Sequence, residues 1–298
     1  MRRRIKPIVV AVFFSLFGLL LIIGHLHSTN TLKKELVEAK KTIPSVKASK
    51  VPQKSTSSKD KEFVLKPIID VSGWQLPKEI DYDTLSKNIS GVVIRVFGGS
   101  KISKTNNAAY TTGIDKSFKT HIKEFQKRNI PVAVYSYALG SSVKEMKEEA
   151  QIFYKNAAPY KPTFYWIDVE EETMSNMNKG VQAFRKELKR LGAKNVGIYI
   201  GTYFMTEQGI SVKGFDAVWI PTYGSDSGYY EAAPQTELKY DLHQYTSQGY
   251  LPGFNQPLDL NQIAVNKDKK KTYEKLFWKS KRLKATVNSS FFDKLFII

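Results

Sequence analysis

The chain has 298 residues, 42% hydrophobic and 12% aromatic, enough apolar material for one large folded domain or two small ones. Its formal charge of +18 lies at the ends, with a net +10 over residues 1–66 and +7 over 267–298 against +1 for the 200 between, so a basic groove on the folded part is excluded and nucleic acid is not an expected partner. There is no cysteine, which removes thiolate metal sites, iron–sulfur clusters, disulfides and a cysteine nucleophile together.

Arg2, Arg3, Arg4 and Lys6 precede an uncharged apolar run over residues 7–24. A helix over 8–26 is about 28 Å long at roughly 1.5 Å per residue, close to the thickness of a bilayer's hydrocarbon core. Residues 1–7 therefore read as a cytoplasmic basic segment and 8–26 as a single-pass signal-anchor, with all that follows outside the cell membrane. A cleaved signal peptide is the competing reading, but Gly24-His25-Leu26-His27-Ser28 offers no clean small-x-small cleavage site. Residues 27–66 read as a Lys/Ser-rich stalk, low in complexity at Lys54-Ser55-Thr56-Ser57-Ser58-Lys59, within which 32–43 could form a short helix.

From Pro67 the pattern changes. Short apolar runs predict strands at 68–70, 91–96, 132–137, 163–170, 196–200, 217–222 and 242–245. Helical spacing lies between them at 117–128, 143–157 and 173–191; in the first, Phe118, Ile122 and Phe125 recur at i, i+4, i+7 beside a lysine-covered face. Strands alternating with helices imply parallel βα units, and the helices shorten toward the C-terminus. Residues 67–266 are therefore expected to form one irregular α/β barrel. The basic, aromatic tail 267–298 reads as an amphipathic surface helix or as an unstructured tail.

Elimination narrows the chemistry. Only His121 and His243 lie in the folded region, without HExxH or HxxEH spacing, so no metal site is expected. His121, mid-helix among lysines, is expected at the surface. There is no GxSxG elbow, Walker A loop or GxGxxG, and Gly98-Gly99-Ser100-Lys101 lacks a phosphate loop's spacing. What remains is carboxylates on strands. Asp168 and Glu170, at i and i+2, face the same way where barrel enzymes gather their catalytic groups. Two adjacent acids resist joint ionisation, which fits one of them to act as an acid. Glu171 and Glu172 read as first-turn charges of the next helix. Asp70 ends the first strand, Asp259 stands near the end of the domain, and Tyr137, Tyr199, Tyr203, Trp219, Tyr223 and Tyr245 fall at other strand ends.

Five motifs stand in order: Asp70-Val71-Ser72-Gly73-Trp74-Gln75, Asp168-Val169-Glu170, Ile198-Tyr199-Ile200-Gly201-Thr202-Tyr203, Trp219-Ile220-Pro221-Thr222-Tyr223-Gly224 and Gln244-Tyr245-Thr246-Ser247. Together they resemble glycoside hydrolase family 25, the Chalaropsis-type lysozymes, over about residues 67–265. The resemblance implies an irregular (β/α)5(β)3 barrel that cleaves the β-1,4 bond between N-acetylmuramic acid and N-acetylglucosamine, with no cofactor. It implies Glu170 as general acid, Asp168 as partner carboxylate, Asp70 and Asp259 as further acids of the catalytic site. Trp74, Tyr137, Tyr199, Trp219, Tyr223 and Gln244 become substrate-binding candidates. Two positions depart from the pattern: His243 where many relatives have Trp, and Ser136 where many have His. The implied partners are peptidoglycan strands and, through the N-terminal helix, the membrane; the basic ends suit anionic wall polymers or lipid headgroups. A wall-binding scaffold with the same barrel is the alternative, and the intact acids argue against it.

Overall fold

The computed structural model describes residues 63–100 and 105–278. The expected membrane anchor, all but the last four residues of the stalk and the tail beyond Trp278 lie outside them. Among the described residues no helix is long and apolar enough to cross a membrane.

Eight strands close into a barrel in chain order: β1 (Ile68–Val71), β2 (Gly91–Phe97), β3 (Val132–Tyr137), β4 (Tyr165–Val169), β5 (Val196–Ile200), β6 (Ala217–Pro221), β7 (Leu242–Leu251) and β8 (Phe254–Ile263). The first seven pair in parallel, and β8 runs antiparallel to both β7 and β1. Each of the first five crossovers carries a helix: α1 (Tyr82–Ser86), α2 (Phe118–Lys127), α3 (Val143–Ala157), α4 (Met177–Leu191) and α5 (Thr202–Glu207). A loop joins β6 to β7 and a tight hairpin through Gly253 joins β7 to β8, which gives the (β/α)5(β)3 arrangement.

The strand alternation sorts side chains into two cores. Outward-facing Ile69, Val92, Ile94, Val134, Ile167 and Ile198 pack against the helices, whose apolar stripes include Met177, Val181, Phe184 and Leu188 of α4. Side-chain caps begin the longer helices, with Ser142 accepting from Glu145 N and Asn176 from Lys179 N, and Gly192 ends α4 at φ 108°. Inward-facing Ile68, Val93, Ala133, Trp166, Trp219, Leu242 and Ile263 fill the lower barrel together with Phe164. Phe164 stacks on Trp166 with ring centroids 4.8 Å apart, and Trp166 meets Trp219 edge-on at 5.6 Å. Gly197 on β5 makes this possible, since a Cβ there would stand 2.3 Å from the Trp166 ring.

Two expectations change. His121 is fully buried: it shares the α2 stripe with Phe118, Ile122 and Phe125, and both ring nitrogens find partners, the Tyr82 hydroxyl at 2.7 Å and the Ser72 carbonyl at 3.1 Å. The helix in the basic tail, α6 (Lys269–Phe277), does not offer its apolar face to a surface. Tyr273, Leu276 and Phe277 join the inner core and close the barrel from below. The Tyr273 hydroxyl donates to the Ser90 carbonyl at 2.6 Å, while Lys267 and Lys275 pair with buried Asp241 at 3.1 and 2.9 Å. The folded body thus continues past residue 266.

Candidate active site

Above the aromatic layer the inward-facing residues turn polar. Asp70 and Asp259 are direct partners across β1 and β8, and Asp168 stands on β4 between Tyr137 of β3 and Tyr199 of β5. Glu170 lies one residue past β4, on the same face as Asp168. The result is a cleft of about 170 Å³ lined by Asp70, Tyr135, Asp168, Glu170, Tyr199, Trp219, Tyr223, Gln244 and Asp259. A larger groove of about 660 Å³, lined by Ile130, Pro159, Tyr160, Tyr273 and Trp278 among others, carries no acid.

The four acids form two pairs in different surroundings. Asp168 is 7% exposed, and burial, followed by the charge of Glu170, pushes its carboxyl well above the usual carboxylate range. Glu170 has its outer surface open to solvent, yet the cleft walls remove enough water to raise its carboxyl too. A hydrogen bond with Asp168 opposes that rise, and the charge of Glu171 adds to it. The two carboxyls are coupled, and each is raised above its ordinary range. Asp70 is raised to about 6 by burial, against hydrogen bonds from Asn261 and Gln244 that favour its ionised form. Asp259 is raised to about 9 by burial and by the charge of Asp70. One buried oxygen, Oδ1 of Asp168, has no hydrogen-bond partner. Among the described residues no group of His, Asp or Glu is arranged to hold a metal ion.

Of the residues singled out in the sequence, Asp70, Asp168, Glu170, Asp259, Tyr199, Trp219, Tyr223 and Gln244 converge on the cleft. Trp74 and Tyr137 do not line it. Trp74 is 55% exposed in the turn after β1, where Gly73 N donates to Asp115 at 2.7 Å and a Cβ on Gly73 would strike the Ala108 carbonyl. Tyr137 donates its hydroxyl to Glu171 at 2.6 Å. Glu171 and Glu172 belong to the loop before α4, whose N-cap is Asn176, so neither is a first-turn charge. Tyr203 is exposed on α5 and Tyr245 is packed in the outer core. Both departures from the family pattern fall on the outer face. His243 is bound to the Thr222 carbonyl at 2.8 Å, and Ser136 is buried behind β3. Sequence reasoning missed Tyr135 and Asn261. Tyr135 shares its strand face with Tyr137, and Asn261 sits two residues after Asp259, so the alternation rule carried the signal for both.

The description of glycosyl hydrolases family 25 fits residues 69–254 of the chain, more than half its length and all but the last part of the barrel. The chain belongs to glycosyl hydrolase family 25. Its barrel superposes on that of GHIP from Streptococcus pneumoniae, described as a glycosyl hydrolase 25 virulence factor participating in host cell invasion, with 56% identity and a TM-score of 0.70 over 72% of this chain and 93% of that one. The catalytic domain of endolysin ply40 from a Listeria monocytogenes phage matches at 25% identity and a TM-score of 0.60, covering 72% of this chain and 98% of the other. A bacterial lysozyme from Streptomyces coelicolor, 17% identical over 72% of this chain and 98% of its own, shares the fold at a TM-score of 0.54. No curated protein sequence matches the chain. Membership of the family makes the protein a glycoside hydrolase.

Proposed function

We propose that this family 25 protein is a muramidase that cleaves the β-1,4 bond between N-acetylmuramic acid and N-acetylglucosamine in peptidoglycan, with Glu170 as general acid and Asp168 as its partner carboxylate. The observation that carries the reading is the asymmetry of the Asp168–Glu170 pair. One carboxyl is sealed in the barrel and the other is open at the mouth, and burial raises both above the usual carboxylate range. In this reading Glu170, which lines the cleft, gives a proton to the leaving glycosidic oxygen. In the same reading the sealed carboxyl of Asp168 takes the charge change, and its unpartnered Oδ1 supports a role as acceptor for an N–H on the substrate. Tyr199, Trp219 and Tyr223 supply ring faces and edges around the same space. The endolysin and lysozyme relatives support a wall glycan as substrate. A scaffold that only binds wall would gain nothing from gathering four carboxyls in one cleft with two of them buried, a costly arrangement for a fold. Digestion of purified peptidoglycan followed by mass spectrometry tests the bond: N-acetylmuramic acid is expected at the new reducing ends, and N-acetylglucosamine there would refute the assignment.

We further infer that the barrel works outside the cell membrane, tethered by the apolar segment 8–26 through the stalk. As a coil, about 38 residues reach roughly 30–40 Å root-mean-square. External protease should remove the barrel from intact spheroplasts and leave the anchor in the membrane fraction. A soluble mature form starting just beyond His27 would show a cleaved signal instead.

A further inference from the structure

Two primary amides converge on one oxygen of Asp70. Gln244 Nε2 donates to Asp70 Oδ2 at 2.9 Å, and Asn261 Nδ2 donates to the same oxygen at 2.8 Å. Neither amide is free to turn. Trp219 Nε1, a group that can only donate, binds Asn261 Oδ1 at 2.8 Å, which fixes the Asn261 amide with its NH2 toward Asp70. Gln244 Oε1 accepts from the Tyr199 hydroxyl at 2.8 Å and from the Tyr223 hydroxyl at 2.5 Å, so its NH2 is likewise turned to Asp70. All of these side chains but Tyr223 are buried, and five strands supply the buried ones.

We propose that Gln244 and Asn261 are positioning residues that hold Asp70 in its ionised form, so that Asp259 carries the proton of that pair. A carboxylate accepting two amide donors on one oxygen is stabilised by both charged hydrogen bonds, a gain its protonated form has only in part. Glu170 presses on Asp70 with like charge while a hydrogen bond with Asp259 favours its ionised form, and Asp168, Tyr135 and Tyr223 face the same space. The nearby cation is Arg95 of β2, already paired with Asp115 at 3.0 Å. Without the amides, the hydrogen bond with Asp259 is left to oppose the loss of the Asp70 charge, and it is smaller than either of theirs. A fixed negative charge at the cleft floor favours the positive charge that develops on a sugar ring during glycoside cleavage. Gln244, a substrate-binding candidate by its motif, has its oxygen and one N–H committed inside the protein.

The test uses the full chain with ¹³C-labelled aspartate carboxyls, the Asp70 signal being identified by its loss in Asp70→Asn. In Gln244→Met, and separately in Asn261→Leu, the Asp70 titration is expected to move up by about 1–2 pH units. The acid limb of the kcat/KM profile on soluble muropeptides should move up with it, while KM changes little. Asn261→Leu strands the Trp219 N–H and can fail to fold; Gln244→Met then carries the test alone. An unmoved Asp70 titration accompanied only by a lower Tm would overturn the proposal in favour of a packing role. The titration needs no turnover, so its outcome stands apart from that of the muramidase reading, on which only the kinetic arm rests.

Discussion

Phe277→Ala probes the closure of the barrel by α6. Phe277 is 2% exposed, stacks on Tyr273 with ring centroids 5.5 Å apart, and lies so close over Gly91 that an added Cβ there would meet its ring at 3.0 Å. The helix stays anchored by Leu276, by the Tyr273 hydroxyl on Ser90 and by the lysine pairs to Asp241, so the site cannot readily collapse onto the hole. Truncating such a phenylalanine costs about 3–5 kcal/mol. For a domain of this size each kcal/mol lowers Tm by roughly 2–4 °C, so a fall of about 6–20 °C is expected in a circular dichroism melt. Lys270→Ala, on the exposed side of the same helix, is the control and should change stability by less than about 0.5 kcal/mol. Ending the chain after Asn266 should be worse than Phe277→Ala, because it opens Ile68, Val93, Phe164 and Leu242 to water from below. A Phe277→Ala melt within about 3 °C of the parent would refute the view of α6 as the floor of the barrel.

Gly197→Ala pushes a methyl into the Trp166 ring from 2.3 Å and should cost about 1–3 kcal/mol or more, read as a lower Tm or lost soluble yield; an unchanged melt would mean the tryptophan layer can shift. Asp259 has a folded value near 9 against roughly 3.9 unfolded, so its burial favours the fold below pH 4 and increasingly opposes it as pH rises toward 9. Asp259→Asn should therefore raise Tm at pH 8 and give little gain at pH 4, and an equal gain at both would remove protonation as the cause. Glu171→Gln removes a charge that raises Glu170, so the basic limb of the pH–rate profile should move to lower pH. A move to higher pH would contradict that placement.

The strand order, the three long helices and the acids were legible because alternation and helical spacing report burial directly. Strand β8 was not, because its inner face carries the polar Asp259 and Asn261 and leaves Leu258 and Leu260 as a short apolar alternation on the outer face. His121 misled for a related reason: its position on the α2 stripe was visible, but the Tyr82 and Ser72 partners that let a histidine be buried come from 39 and 49 residues away. In the tail, a composition rich in lysine hid a helix whose apolar side is core and two of whose lysines serve Asp241. The cleft's acids could be named from strand ends and Gln244 from its motif, but the hydrogen bonds that Gln244 and Asn261 give Asp70 could not, since donor geometry is settled only when five strands meet.

The central claim is that Glu170 delivers the proton to the leaving sugar oxygen. Glu170→Gln keeps the side chain's shape and removes the acid, so fold and wall binding should stay close to those of the parent protein. The measurement is kcat on a soluble muropeptide at the parent's pH optimum, with a thermal melt and a wall-pelleting assay on the same preparations. Glu170→Gln is expected to lower kcat by roughly 100-fold or more with Tm and pelleting unchanged. Near-parental kcat in Glu170→Gln on an enzyme shown to be active would contradict the account.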